Sequence, residues 1–335
     1  MTSPSLKEKQ HYNSEYFTKR WSKDWEMFIE ENHNFSFQSS RTFLDTKPSL
    51  YEDASLIAYN KDEKLIAVLP IGVLSTNNTL ISHPKSSFGG ITFLKELDFE
   101  TRLSVYQDFL LMLSRDFDGF RLIFRVPPSH LCNERYNFES WALWSLGFQP
   151  ISMYVHSAID LEKEFKFDFK RIRKVTNSNI LVIENPGEKA LGEFWEILTE
   201  VLSSRYGISP VHSFSQFLGL QDLFRPSIRT FIGIDNDVVV GGLVFFNTAS
   251  AYHLQYMGIG SIGRSLAAGD VLIQHAISSA AKEGYRYFSF GHSNENEGRN
   301  INQSLLSFKK KFGAEEFVST YWGKDLQNLN VTSVR

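Results

Sequence analysis

The stretch Ser307–Trp322, SFKKKFGAEEFVSTYW, reads as the end of a helix, a glycine stop at Gly313 and an outgoing strand. A second stretch, Leu143–Val155, LWSLGFQPISMYV, has the same grammar, with its stop at Gly147. Two copies of one ending, about half a chain apart, point to a duplicated α/β unit. The elements before each ending support this. In the first half, helical spacing of Trp21, Trp25 and Phe28 predicts a helix over Trp21–Glu31, after a loose polar lead-in over Met1–Tyr16. Apolar runs at Ala54–Tyr59 and Leu65–Leu74 predict a strand hairpin across NKDEK (60–64), and a stripe from Phe99 to Phe117 predicts a helix. A strand over Arg121–Val126, a helix over Phe138–Leu146 and a strand over Met153–Leu161 follow. In the second half, a basic helix over Phe165–Asn177 leads to a helix over Glu188–Arg205, and Ser213 with Gln216 forms a capping box opening a helix to Leu223. A hairpin turns at Asp235–Asp237 between Ile228–Ile234 and Val238–Phe246. Then come a strand over Ala251–Met257, a helix over Gly269–Lys282, a strand over Tyr285–Phe290, a helix over Asn302–Phe312 and a strand over Glu316–Tyr321. The expected fold class is α/β (α+β): two tandem domains, 1–160 and 161–335, each a mixed sheet flanked by helices.

Composition narrows the function. A net charge of −3 argues against a large nucleic-acid footprint, so RNA contact is expected only in the tRNA-dependent alternative below. The basic runs at Lys170–Lys174 and Lys309–Lys311 are either solvated helix faces or phosphate contacts. One cysteine, Cys132, excludes an intrachain disulfide and a cysteine-built metal site, and no metal is expected. The polar N-terminus lacks a signal-peptide apolar core, and no run reaches the roughly 18 apolar residues of a membrane span, so a cytoplasmic protein is expected.

Five segments resemble a tandem-GNAT group related to the Fem-type peptidoglycan-bridge aminoacyltransferases: RTFLDTKPSLYEDASLIAYNKDEKLIAVLPI (41–71), SHPKSSFGGI (82–91), YGISPVHSFSQF (206–217), YHLQYMGIG (252–260) and FGHSNENEGRNINQSLLSFKKKFGA (290–314). The resemblance runs from Phe43 onward and is most specific in its last segment. It implies two GNAT-like halves with the working site in the second. It also implies acyl transfer, with acetyl-CoA as donor and an amine acceptor, an amino sugar or sugar nucleotide of bacterial surface-polysaccharide synthesis. One departure stands out. The glycine-rich pyrophosphate loop of such enzymes corresponds here to GIGSIGRSLAAGDVL (258–272), which keeps Arg264 and Gly269 at a longer spacing. Two alternatives remain open: a Fem-like aminoacyltransferase using aminoacyl-tRNA on a peptidoglycan precursor, and a non-catalytic binding protein.

Acyl transfer needs a base for the amine, donors for the oxyanion and two substrates held together. Strand alternation over Ala251–Met257 puts His253 and Gln255 on one face with Met257, and Tyr252, Leu254 and Tyr256 on the other. Two polar side chains on an apolar strand are either satisfied structurally or face a wet cleft. The loop Gly291–Asn300, after a strand and before a helix, gathers His292, Ser293, Asn294 and Glu295. Glu295 is the leading candidate for general base or amine anchor. His253 and His212 are further catalytic candidates, although His212 could merely pack on Tyr206. Gln255, Tyr206, Ser293, Asn294, Asn302 and Lys309 are candidate substrate contacts, with a plain surface lysine as the alternative for Lys309. Free N–H groups near Ala268 and Gly269 with Arg264 could hold a pyrophosphate, and the backbone of Met257 and Ile259 could hold a pantetheine arm. Cys132 has no base near it in sequence and is not expected to act as a nucleophile.

Overall fold

The computed structural model describes residues 11–32, 36–46, 51–84, 86–132, 137–164 and 178–327. The expected helix over Phe165–Asn177 lies outside them. The chain divides into two units: Met1–Ser129 with Glu134–Met153 and Ser319–Arg335, and His130–Asn133 with Tyr154–Val318.

The first unit begins with β1 (Tyr12–Tyr16), where sequence patterning suggested only a loose lead-in. Polar residues hide this strand from a hydrophobicity reading, but it pairs antiparallel with β3 from Tyr12↔Asn60 to Tyr16↔Leu56, and Tyr12 Oη donates to Asp108 at 2.9 Å. After α1 (Ser22–Asn32), α2 (Arg41–Leu44) and β2 (Glu52–Asp53) come β3 (Leu56–Asn60), β4 (Leu65–Leu69), β5 (Ile71–Leu74), β6 (Thr79–Ser82) and β7 (Thr92–Phe93). The apolar run read as one strand over 65–74 is two, broken at Pro70, which lacks a ladder N–H. β4 enters a sheet of order β1-β3-β4-β7, whereas β5 enters another, beside β2 and β6. Next comes α3 (Phe99–Asp116), capped by Asp98 accepting from the Thr101 N–H. It buries Val105, Tyr106, Phe109, Leu110 and Leu113 in a core with Leu69, Leu122, Phe124 and Phe148. β8 (Arg121–Arg125) lies parallel to β6, and α4 (Asn137–Ser145) is closed by Gly147 at φ +82°.

β9 (Gln149–Asp160) begins in the first unit and ends in the second. The second unit continues through β10 (Leu181–Glu184), α5 (Glu188–Tyr206), α6 (Phe214–Leu223), β11 (Ile228–Asp235), β12 (Val238–Phe246) and β13 (Ala251–Ile259). It then runs through α7 (Ser261–Ser265), α8 (Ala268–Lys282), β14 (Tyr287–His292), β15 (Asn294–Glu295), β16 (Asn300–Ile301) and α9 (Gln303–Lys310), and enters β17 (Glu315–Asp325). Its sheet has the order β10-β11-β12-β13-β14-β9. The capping box of α6 forms as expected from Ser213 and Gln216, and the β11–β12 turn uses Asn236 and Asp237 at positive φ. α8 covers one face of the sheet, packing Leu272, Ile273 and Ala276 on Phe245, Tyr252 and Phe288. α5 covers the opposite face. Gly258 permits that approach, since a Cβ there would stand 2.9 Å from Leu198 Cα. β17 finishes in the first unit, where Tyr321↔Arg125 to Asp325↔Arg121 pair antiparallel with β8. Both units are thus mixed sheets with helices packed on them, the fold class expected from the sequence.

Candidate active site

The second unit opens at one point in its sheet. β13 and β14 are parallel neighbours for three residues only, and the ladder stops at His253↔Ser289. Each strand then bulges. In β13, Val244 and Phe245 of β12 face Tyr256 and Leu254, leaving Gln255 as an extra residue. In β14, Ser289↔Ala158 is followed by His292↔His156, so Phe290 and Gly291 stand against one residue, with Gly291 at φ +71°. Both bulges sit where the parallel ladder ends, as bulges do where pairing terminates. Beyond His253 the β14-facing edge of β13 has no strand partner among the described residues.

The first bulge corrects the alternation read from sequence. Leu254 and Met257 both pack against the core under α8, so Met257 shares the face of Tyr252 and Leu254 and not that of His253. Tyr256 points the other way, its ring 5.6 Å from Trp195 of α5, and its hydroxyl lies 2.9 Å from His212 Nδ1. An inserted residue shifts every later side chain to the opposite face, and period-2 reasoning has no term for it.

At the fork, His253 Nδ1 lies 3.0 Å from Ser289 Oγ, which is also 2.9 Å from His130 Nε2 and accepts from the Gly291 N–H at 3.4 Å. Ser289 and His130 are fully buried, and Nδ1 of His130 has no hydrogen-bond partner among the described residues. The carbonyl of His130 accepts from Ser250 Oγ at 2.8 Å, which fixes the turn carrying the ring. His156 of β9 stands with its ring 5.9 Å from those of both His130 and His292. Lys309, on α9, is only 3% exposed, and its Nζ donates to the carbonyls of Gly291 at 2.9 Å and His292 at 2.6 Å. It is therefore not the surface lysine that its place in a Lys-Lys-Lys run allowed.

His130, His156 and Lys309 are buried and His253 is half-buried, a setting that disfavours their charged forms, whereas the His292 side chain reaches the surface. Burial pushes Lys309 down to about 7. Burial, then the nearby Lys309 and His292, push His253 down to about 4. Burial holds His130 and His156 well below the usual histidine range and lowers His292, with Lys309 adding to that at His292. At neutral pH the fork thus presents neutral imidazoles and a lysine near its titration midpoint.

The other expected residues lie in several places. Glu295 is exposed on the β15–β16 hairpin, its Oε1 accepting from Asn302 Nδ2 at 2.8 Å. Asn302 also caps α9, its Oδ1 accepting from the Leu305 N–H. Asn294 is structural in its contacts: Oδ1 accepts from the Val155 N–H at 2.6 Å and Nδ2 donates to the Gly298 carbonyl. Ser293 is buried, and its Oγ has no hydrogen-bond partner among the described residues. Tyr206 ends α5 and is exposed, whereas His212 reaches Tyr256. After β13, the short α7 fills the stretch before α8. Arg264 turns back, Nη1 donating to the Ile259 carbonyl at 2.8 Å. Ala267, in the left-handed region at φ +58°, leads into α8, whose first turn, from the buried Ala268 and Gly269, has no side-chain cap. Gly269 packs against Met257, where a Cβ would come within 3.0 Å of Met257 Cε. Among the described residues there is no cluster that could hold a metal ion, and no helix is long and apolar enough to cross a membrane.

His130, His156 and Ser289 were not singled out from the sequence. His130 and His156 lie far from β14 along the chain, and nothing in their local patterns marks them. A polar residue inside the apolar run YFSF (287–290) was the one available signal for Ser289.

Residues 170–299 match the family described as "Acetyltransferase (GNAT) domain". Among curated proteins no sequence matches the chain. Among solved structures, the chain is similar to FemX, at 12% identity and a TM-score of 0.67 over 94% of this chain and 98% of that one. It is also similar to L-PGS from Bacillus licheniformis, at 15% identity and a TM-score of 0.60 over 93% and 94% of the two chains. A tandem GNAT protein from the clavulanic acid biosynthesis pathway matches at 10% identity and a TM-score of 0.53 over 95% and 100%.

Proposed function

We propose, from the premise that this chain is a GNAT-type N-acyltransferase with a tandem GNAT fold, that it acylates an amine at the β13–β14 fork of its second unit. The donor in this reading is an acyl-CoA, acetyl-CoA first, and the acceptor an amino sugar or sugar nucleotide of surface-polysaccharide synthesis, made in the cytoplasm. The observation that carries the reading is the end of the parallel ladder at His253↔Ser289, inside the matched segment, with Lys309 buried beside it.

The residues present are compatible with a CoA thioester. The open edge of β13 from 254 to 259, including Met257 and Ile259, offers main-chain groups to an extended arm, and the uncapped start of α8 at Ala268 and Gly269 offers N–H groups to a pyrophosphate. Such a thioester supplies the activated acyl carbon. His253, neutral at pH 7, takes the proton of the attacking amine. Lys309 in its ammonium form has two N–H groups on the carbonyls of Gly291 and His292 and a third to offer the oxyanion. Glu295, exposed and steadied by Asn302, anchors the acceptor amine, with Gln255 and Tyr206 as further acceptor contacts, while the buried Ser293 hydroxyl stays out of reach. His212 holds the Tyr256 hydroxyl.

One observation favours an aminoacyl-tRNA donor instead. Arg264, the one cation of the 258–272 loop, turns one N–H back onto the Ile259 carbonyl instead of lying along the start of α8 as a dedicated anion contact. Thiol release from acetyl-CoA in the presence of UDP- and dTDP-amino sugars tests the first reading. Turnover of charged tRNA on a peptidoglycan precursor, without thiol release, would replace the CoA donor with the second.

A further inference from the structure

The hydroxyl of Ser289 sits between two imidazoles, 3.0 Å from His253 Nδ1 and 2.9 Å from His130 Nε2. A hydroxyl has one proton to donate. If it donates to His130 Nε2, then it accepts from His253 Nδ1–H, and both rings are Nδ1–H tautomers. If it donates to His253 Nδ1, then it accepts from His130 Nε2–H, and both rings are Nε2–H tautomers. Mixed pairs put two donors or two acceptors face to face around a fully buried oxygen, which costs a hydrogen bond in a place water does not reach. The Gly291 N–H, donating to the same oxygen, fits either arrangement.

We propose that Ser289 and His130 are positioning residues that set the tautomer of His253, so that the two imidazoles act as one unit and decide together which ring nitrogen of His253 carries its proton. The inference deepens the assignment of His253 as proton acceptor and rests on it for its catalytic meaning. A lone pair at His253 Nε2 requires Nδ1–H on both rings. Groups that bear on the charge of His253 are Lys309, His292, His130 and His156; burial, then Lys309, disfavours an imidazolium there.

The test uses the 335-residue chain carrying nitrogen-labelled histidine, with the two rings assigned by His130→Gln and His253→Gln. Nitrogen shifts near neutral pH are expected to show the same tautomer on both rings. Ser289→Ala is expected to uncouple them, whereas Ser289→Thr, which keeps the hydroxyl, is expected to preserve the coupling. In turnover, Ser289→Ala is expected to lower kcat on the order of 100-fold with KM for the acceptor unchanged and to move the acid limb of the pH profile, with Ser289→Thr restoring both. Opposite tautomers in the wild type, or a Ser289→Ala variant with an unchanged acid limb, would overturn the proposal. If His253→Gln leaves kcat intact, the assignment of His253 as base fails on its own, because the tautomer coupling is read without substrate.

Discussion

The Nζ of Lys309 stands 2.9 Å from the carbonyl of Gly291, the left-handed residue of the β14 bulge. Bulge and buried lysine therefore meet at one residue. Gly291 gives the N–H of the peptide before it to Ser289 and the carbonyl of the peptide after it to Lys309.

In the proposed reaction Lys309 is expected to set the alkaline side of the pH profile. With its pKa at about 7, the ammonium form is lost as pH rises through neutrality, so kcat is expected to fall above about pH 7. Lys309→Met is expected to lower kcat about 100- to 1,000-fold, in the range for loss of an oxyanion donor, and to abolish that limb. The linkage sign is opposite for stability. The folded lysine binds its proton less tightly than the unfolded one, whose ordinary value is 10.5, so unfolding free energy contributed by this group rises with pH between about 7 and 10.5. Lys309→Met is expected to remove that rise, as measured by denaturant titration at several pH values.

Gly291→Ala tests the bulge itself. Space is not the obstacle, since a Cβ there would meet His253 Cε1 at 3.8 Å, an ordinary contact. The obstacle is φ +71°, which costs a side-chain-bearing residue about 1–2 kcal/mol. The expected result is a stability loss of that size by denaturation midpoint, with a larger fractional loss of kcat, because the alanine pulls β14 toward a regular ladder.

Glu139 supplies a pH prediction in the first unit, away from any chemistry. It is 2% exposed, with Oε1 accepting from Tyr106 Oη at 2.5 Å and from the Ile91 N–H at 3.3 Å, while Oε2 has no partner among the described residues. Burial pushes its pKa up from 4.5 to about 8. The folded state therefore holds a proton that the unfolded state releases. Stability is full below about 4.5 and declines toward 8, by up to about 1.4 kcal/mol per pH unit. Glu139→Gln keeps the acceptor and removes the titration. It is expected to unfold at higher denaturant than the wild type at pH 8 and to match it near pH 4.5.

Glu295 separates binding from chemistry. Because it is exposed and its partner is Asn302, Glu295→Ala is expected to raise KM for the amine several-fold and to leave kcat nearly unchanged. A kcat loss as large as that of Lys309→Met would move the base from His253 to Glu295.

Much of this architecture was legible because local chemistry carried it. Gly147 and Gly313 stop their helices at φ +82° and +86°, and Ser213 caps α6 with Gln216, as residue type alone implied. The run Leu65–Leu74 departs from one strand only at Pro70, where the missing N–H outweighs the continuous apolar pattern. The fork was harder to read. Period-2 counting located His253 on a polar face but carried straight through Gln255, because a bulge is set by the pairing of two strands and leaves no mark in one. Lys309 was named as a substrate contact, yet its burial depends on carbonyls 17 and 18 residues earlier in the chain. His130 meets Ser289 across 159 positions, a contact that no local pattern encodes.

The two units do not follow one another along the polypeptide: β9 leaves one and enters the other at 153/154, and β17 returns at 318/319. A gene cut after codon 160 would give an amino-terminal product in which β8 lacks the 321–325 strand, and a carboxy-terminal product in which β14 lacks the 156–160 strand. Each fragment would expose a raw sheet edge, a ready template for self-association. Mixing both fragments should return a soluble heterodimer that neither half forms by itself.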